Sequence, residues 1–196
     1  MRANLPVLAT VLLAGPALAQ SATSRTTSLE KCRVIDDDGE VGDYTLERCT
    51  GLAGARVYMD WSASHTTLSF RWGKAKSGGV TGYGLGGTLE WRGLKGKRGF
   101  APYAIIVRVK LRDDNIRPDG EFKTSNVLAV IRMERRDTCL MAAIDETENP
   151  DALALALATA DAEAAKFACA KDKARIVGKP SQWAQQTIGY DGDPPK

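Results

Sequence analysis

The sequence lacks several features on which common function classes depend. It contains one histidine, His65, and no C-x-x-C pair, so neither a multi-histidine nor a cysteine-rich zinc site is expected. Beyond residue 19, no stretch approaches the ~20 consecutive apolar residues that a transmembrane helix needs. No G-x-x-x-x-G-K-[ST] phosphate loop occurs. We therefore expect no metal, no cofactor, no nucleotide ligand and no transmembrane segment.

The N-terminus has the order of a secretory signal peptide. Arg2 precedes an apolar run from Leu5 to Leu18, which is broken by Gly15 and Pro16 and ends on Ala17-Leu18-Ala19. A short apolar run closed by an A-x-A sequence is typical of a cleaved signal. We expect residues 1–19 to be removed near Ala19 and the mature chain to be periplasmic or secreted.

The chain has four cysteines, and their number indicates two disulfides. An even count in an exported chain suggests pairing, because the destination is oxidising. Three pairings are possible, and sequence alone does not choose among them. We favour Cys32–Cys49 and Cys139–Cys169, since each closes a local loop within its own segment. Each loop would stabilise the fold by ~3 kcal/mol through the unfolded state.

Length and composition predict one globular domain after the signal. Apolar residues make up 43% and charged residues 26% of the chain, which is typical of a folded protein. We expect a flexible, polar N-terminus at 20–31, a single α+β domain at 32–180 and a loose polar tail at 181–196.

Alternation of apolar and polar residues predicts a series of strands. The segments that alternate with period 2, or read as short strands between turns, are 55–61, 66–72, 88–92, 103–112, 127–133 and 138–144. Short strands separated by turns favour antiparallel pairing. The predicted fold class is α+β, an antiparallel β-sheet meander with one C-terminal helix packed on it and two disulfides.

That helix is expected from about Asn149 to Ala170. Asn149 would cap it, Pro150 suits its first position and Asp151 complements its positive end. A stripe at three- and four-residue spacing would face the sheet, and it consists of Leu153, Leu157, Ala160, Ala164 and Phe167.

Two loop-like segments resemble ligand sites without completing the pattern. The glycine-rich stretch from Ser77 to Gly87 is followed by a strand, whereas a dinucleotide loop opens a helix, so we interpret it as a mobile loop. Asp36, Asp38, Glu40 and Glu47 occupy the first, third, fifth and twelfth positions of a calcium-type loop, but Val41 stands where that loop needs glycine. A solvated acidic loop is the preferred interpretation.

Candidate catalytic groups are few. No G-x-S-x-G or S-x-x-K motif frames a serine near His65, and that histidine falls in a predicted turn between two strands. Asp60 and Glu90 could act as paired carboxylates on neighbouring strands only if they converge in one cleft. We assign no catalytic residue.

The distribution of charge along the chain is more informative than its net charge of +3. Removal of the signal would also remove the positive charge of Arg2. Between Arg71 and Arg98, the cationic residues are opposed only by Glu90. Two loops flanking the strand at 88–92 would project a basic surface with aromatic contacts for stacking. The candidate ligand-binding residues are Lys74, Lys76, Tyr83, Trp91, Lys95, Lys97 and Arg98. Such a one-sign patch attracts anionic partners.

About half of the mature chain resembles uncharacterised small secreted proteins of alphaproteobacterial type. The residues that carry the resemblance are Thr88–Arg92, Pro102–Ile106, Cys139, Ile144–Asp145, Ala160–Asp161 and Phe167–Cys169. The resemblance implies no activity, and it agrees with a Cys139–Cys169 pair.

Three hypotheses follow. The first is a non-catalytic binding protein whose basic loops dock an anionic envelope component, such as lipopolysaccharide or peptidoglycan, or an acidic protein. The second is an inhibitor of a cell-wall hydrolase that offers acidic residues from Asp36 to Glu40. The third is a small hydrolase using Asp60, Glu90 or His65.

Overall fold

The computed structural model describes residues 21–37, 44–72, 75–97, 99–116, 118–134 and 138–189, with backbone only at 72, 75–77 and 114–116. The strands are β1 Ala22–Ser28, β2 Arg33–Asp37, β3 Tyr44–Cys49, β4 Arg56–Ser62, β5 Thr66–Trp72, β6 Ala75–Gly82, β7 Gly84–Gly96, β8 Gly99–Ile116, β9 Phe122–Arg132, β10 Cys139–Asp145 and β11 Arg175–Ile176. The helices are α1 Ala152–Glu163 and α2 Gln182–Gly189.

The strands form two sheets. The five-stranded sheet follows chain order, β2-β3-β4-β5-β6, whereas the six-stranded sheet has the order β1-β7-β8-β9-β10-β11. Neighbours pair antiparallel except β10 and β11, which are parallel. The expectation of a mostly antiparallel sheet protein with helix on sheet is therefore confirmed in part. The simple meander is wrong, because β1 inserts beside β7 and leaves β2–β6 to form a second sheet.

The main hydrophobic core lies between the two sheets. Val57, Met59 and Phe70 of the five-stranded sheet share one buried cluster with Trp91 and Ile105 of the six-stranded sheet. The Trp91 ring meets Phe70 edge-on, with centroids 6.4 Å apart. Period-2 alternation places these residues inward and their neighbours outward, so each sheet has one face in the core and one facing away.

Helix α1 packs on the outer face of the six-stranded sheet through alanines. Ala152, Ala156, Ala160 and Ala164 are buried at four-residue spacing, while Leu153 is 50% exposed. The predicted leucine-containing stripe is therefore wrong at Leu153. The helix also begins and ends inside its predicted range, and the Asp151 side chain forms no cap hydrogen bond.

Asn149 does not cap the helix but joins two loops. Its Nδ2 donates to the Asp145 carbonyl at 2.9 Å, and its Oδ1 accepts from the Lys179 backbone N–H at 2.8 Å. The side chain thereby ties the start of the helical segment to the chain that follows β11.

Both predicted flexible ends contain ordered structure. Within 20–31, strand β1 pairs with β7 from Ala22 to Ser28. This pairing satisfies backbone hydrogen-bonding groups of β7 that would otherwise lie at the edge of the six-stranded sheet. Within 181–196, helix α2 buries Trp183 and Ala184 in the main core. The polar sequence of both ends predicted flexible segments. The pairing of β1 with β7 and the burial of Trp183 order parts of them instead.

The glycine-rich stretch forms strand β6 and the start of β7, so the predicted loop is wrong. A Cβ at Gly82 would lie 2.3 Å from Val109 Cγ1 and 2.8 Å from the Lys110 carbonyl oxygen. A Cβ at Gly79 would lie 1.6 Å from the Leu68 carbonyl oxygen. The glycines allow close approach of strands rather than loop motion.

The disulfides are Cys32–Cys49 and Cys139–Cys169, as expected. The first closes the segment containing β2 and β3, and the second ties β10 to the chain beyond α1. Neither helix in the described residues is long and apolar enough to cross a membrane. Two disulfides fit an extracytoplasmic protein.

The alanine stripe predicts an asymmetric response to side-chain size on α1. Ala156→Leu should lower the free energy of unfolding by about 1–3 kcal/mol, because a well-packed site accommodates extra methylenes poorly. Leu153→Ala should change it by less than about 0.5 kcal/mol, because that side chain is half exposed. Urea unfolding monitored by tryptophan fluorescence measures both values. Equal sensitivity at the two positions would contradict the packing described.

Candidate functional site

The structure separates the residues of the predicted basic loops. Lys74 and Arg98 lie outside the described residues, and Lys76 is described only by its backbone position in β6. Lys95 and Lys97 are exposed at the end of β7, whereas Tyr83 precedes its first residue. A strand rises roughly 3.3 Å per residue, so thirteen residues of β7 place Tyr83 far from the two lysines.

The two aromatic residues of that set do not offer free stacking faces. Trp91 has no solvent exposure, and its Nε1 donates to Thr27 Oγ1 at 2.8 Å. It is an inward-facing core residue of β7, so a surface ligand cannot stack on it. Tyr83 is 48% exposed, but the guanidinium of Arg112 already lies 4.4 Å from its ring centroid.

The residues considered for catalysis do not converge. Asp60 lies on the outer face of the five-stranded sheet, where Tyr44 donates to it at 3.3 Å. Glu90 lies on the outer face of the six-stranded sheet and accepts from Ser24 at 2.6 Å. These two faces point away from each other across the core. His65 Nδ1 is 3.1 Å from Ser62 Oγ in an exposed turn remote from Glu90.

The acidic segment is described only in part. Asp36 and Asp37 lie in the exposed strand β2, and Glu47 accepts a hydrogen bond from Trp61 Nε1 at 3.2 Å. Residues 38–43 lie outside the described residues. The hydrolase-inhibitor hypothesis, which relies on Asp36 to Glu40, therefore stays a prediction.

The outer face of the five-stranded sheet carries two rows of aligned residues at one end. In the first row, Arg56 pairs in register with Arg71, and Arg71 pairs with Lys76. The second row, which crosses four strands, is Arg33, Arg48, Tyr58 and Ser69. Directly paired residues on antiparallel strands share a face. We call Arg33, Arg48, Arg56 and Arg71, with Tyr58 and Ser69 between them, the arginine face.

Four arginines that lie on the six-stranded sheet form ion pairs, while Arg25 and Arg112 of that sheet lie over aromatic rings, as Arg71 does on the arginine face. The ion pairs of the six-stranded sheet are Arg92–Asp161, Arg108–Glu146, Arg132–Glu134 and Arg175–Glu163. In the described part of the chain, no acidic side chain forms an ion pair with any arginine of the arginine face. Like charges placed directly opposite each other on a sheet are destabilising.

The centre of the arginine face is occupied by Tyr58, which is 6% exposed. The Arg71 guanidinium lies 4.6 Å from the centroid of that ring, a cation–π distance. Arg71 Nε and Ser69 Oγ are buried and have no hydrogen-bond partner in the structure. A buried polar group left without a partner costs about 1–3 kcal/mol. This end of the sheet therefore holds charge and hydrogen-bonding capacity that the fold does not use.

A second polar cluster joins α1 to the six-stranded sheet. Arg92 donates to both carboxylate oxygens of Asp161, at 3.0 and 2.5 Å, and the Tyr103 hydroxyl donates to Oδ1 at 2.5 Å. Burial, then the hydrogen bond to Asp161, raises the pKa of Tyr103 to about 12. Burial alone would raise the pKa of the Asp161 carboxyl, but hydrogen bonds from Arg92 and Tyr103 hold it below its usual value. The cluster is internally satisfied and fastens the helix.

Sequence reasoning missed Arg33, Arg48 and Arg56. Arg56 and Arg71 stand at outward positions of the alternating segments 55–61 and 66–72, so this signal was present. Arg33 and Arg48 lie beside the first two cysteines, and their alignment with the other arginines becomes visible only in the register of four strands.

Comparison with protein families, with curated proteins and with solved structures finds no match to this chain.

The alignment of Arg56 with Arg71 predicts that reversing the charge of Arg56 will stabilise the fold. Arg56→Glu should raise the free energy of unfolding by about 0.2–1 kcal/mol, because an opposite pair with Arg71 replaces a like pair. Arg108→Gln, which removes an existing partner of Glu146, should lower it. Urea unfolding at low and high salt measures both, and the Arg56→Glu gain should shrink with salt. A loss of stability in Arg56→Glu would show that Arg56 has a structural role.

The Tyr103 hydroxyl predicts a stability loss in alkali. Its folded pKa of about 12 exceeds the ordinary value of about 10, so its contribution is complete below pH 10 and is lost as pH rises through about 12. The difference in free energy of unfolding between wild type and Tyr103→Phe should therefore narrow over that range. Urea unfolding at stepwise pH measures it. A constant difference would mean that Tyr103 does not act as a hydrogen-bond donor to Asp161.

Proposed function

We propose that the mature protein is an exported, non-catalytic binding protein that docks an anionic component of the cell envelope through the arginine face. The observation that carries the proposal is the set of four outward arginines without ion-pair partners in the described residues. Apart from the contact of Arg71 with the Tyr58 ring, the arrangement places like charges opposite each other, and aligned like charges repel. An anionic partner removes that repulsion on binding.

The shape of the surface supports a partner with regularly spaced negative groups. Neighbouring strands lie about 4.8 Å apart, and alternate residues along a strand are about 6.6 Å apart, so the arginines form an array with roughly these spacings. Arginine binds phosphate and carboxylate through a planar fork of donors. The four arginines also raise the rate at which anionic partners meet this end of the sheet, and the acidic residues of the same face, Asp36 and Asp60, lie in the next row along the strands.

Two independent features support the proposed location of the protein outside the cytoplasm. The N-terminal sequence is typical of a cleaved signal, and the two disulfides fit an oxidising compartment. Together they support a periplasmic or secreted protein that meets envelope components directly, lipopolysaccharide and peptidoglycan being the candidates. The separation of Asp60 from Glu90 on opposite outer faces disfavours the hydrolase hypothesis.

The test is co-sedimentation of the mature, oxidised protein with purified lipopolysaccharide and peptidoglycan, from low salt to about 0.5 M. Arg48→Glu/Arg56→Glu should reduce the bound fraction at low salt by about tenfold or more, since each reversal replaces attraction with repulsion. Wild-type binding should fade as salt screens the exposed charges.

The matched control is Lys95→Glu/Lys97→Glu, which changes the net charge equally at exposed positions beyond the arginine face. It should retain most of the binding. Equal loss in both double variants would make net charge responsible and overturn the assignment to this face. Binding that is indifferent to salt, or absent at low salt, would overturn the proposed function.

A further inference from the structure

Two buried polar atoms of the arginine face lack hydrogen-bond partners, and both belong to β5. They are the Arg71 Nε and the Ser69 Oγ. The residues stand two apart on one strand, so they share the outward face. Ser69 is 4% exposed, and no acceptor within the described structure is assigned to its hydroxyl.

Two glycines lie beside Ser69 in the neighbouring strand β6. The pairing of β5 with β6 is interrupted between Leu68 and Phe70, and Gly78 and Gly79 lie in the corresponding part of β6. Neither glycine contributes a side chain. On the other side, Ser69 pairs in register with Tyr58, over whose ring the Arg71 guanidinium lies.

We infer, as an extension of the proposed function, that Arg71 and Ser69 bind a phosphate group of the anionic partner. A carboxylate has only two oxygens, so a hydroxyl beside a guanidinium fork must share one of them with the fork, as the Tyr103 hydroxyl and Arg92 Nε share Asp161 Oδ1. A tetrahedral phosphate has further oxygens and accepts from the fork and the hydroxyl together. Arg56, directly paired with Arg71, supplies additional positive charge to a group that carries more than one negative charge.

Binding requires a movement of the Arg71 side chain. Its Nε is shielded from solvent, so a ligand reaches that atom only when the guanidinium leaves the Tyr58 ring. The movement gives up a largely buried cation–π contact and an unpartnered N–H, and it gains charge-assisted hydrogen bonds to the ligand.

Titration calorimetry of the mature protein with linear polyphosphate and with polyglutamate, at equal charge concentration and ionic strength, tests the inference. Wild type should bind polyphosphate at least about tenfold more tightly. Ser69→Ala, which preserves net charge, should reduce affinity for polyphosphate by about tenfold and affinity for polyglutamate by clearly less, because only phosphate offers the hydroxyl an oxygen that the fork does not occupy. Ser62→Ala, at the other end of the same sheet face, should behave as wild type.

Two further measurements separate a binding role from a structural one and identify the source of the phosphate. Ser69→Ala should unfold at the same or higher urea concentration than wild type, because the hydroxyl has no partner to lose. Binding to intact but not dephosphorylated lipopolysaccharide places the phosphate on the envelope lipid. Binding to polyphosphate without binding to lipopolysaccharide would support the phosphate site of Arg71 and Ser69 but overturn the envelope component as its source.

Equal affinity for the two polymers, with no effect of Ser69→Ala, would overturn the phosphate inference and leave the proposed function standing. A destabilised Ser69→Ala would also overturn it, because the hydroxyl would then have a structural role. Absence of binding to both polymers at low salt would overturn the phosphate inference, and absence of binding to lipopolysaccharide and peptidoglycan as well would overturn the proposed function.

Discussion

The contact between the two sheets around Trp91 is the constraint on which the rest of the molecule depends. Once Phe70, Ile105 and Trp91 face one another in the core, period-2 alternation determines which residues of every strand face outward. The indole N–H is satisfied by Thr27 of β1, so the same residue also fixes the N-terminal strand beside β7. A residue expected to stack on a ligand instead organises the interior.

This arrangement gives the two outer faces different roles. Helix α1 packs on the outer face of the six-stranded sheet. Arg92 and Tyr103 of that sheet donate hydrogen bonds to Asp161 of the helix and so hold it in place. No helix covers the arginine face in the described residues, and its arginines lack ion pairs there. Four arginines of the six-stranded sheet are thus held in ion pairs, whereas on the arginine face the contact that the described structure shows is that of Arg71 with the Tyr58 ring.

Local sequence patterns predicted the parts of the fold that are locally determined. The alternating segments 55–61 and 66–72 became β4 and β5, and both short-range disulfides formed as favoured. Patterns failed where a distant partner decides the outcome. Polar strand β1 exists because β7 offers an edge, α2 exists because Trp183 finds the core, and the glycine stretch is extended because strands approach closely there.

The arginine face was only partly predictable for the same reason. Arg71 belonged to a visible run of positive charge, but its alignment with Arg56 and the alignment of Arg33 with Arg48 depend on strand register. Register is specified by the buried face of a strand, since a one-residue slip would turn every side chain over. The core therefore dictates the arginine array, while the array contributes nothing favourable to the core. Outward positions tolerate many residue types, so the core does not require arginine at these sites, and the proposed anionic partner would offset the repulsion between charges that the core merely aligns.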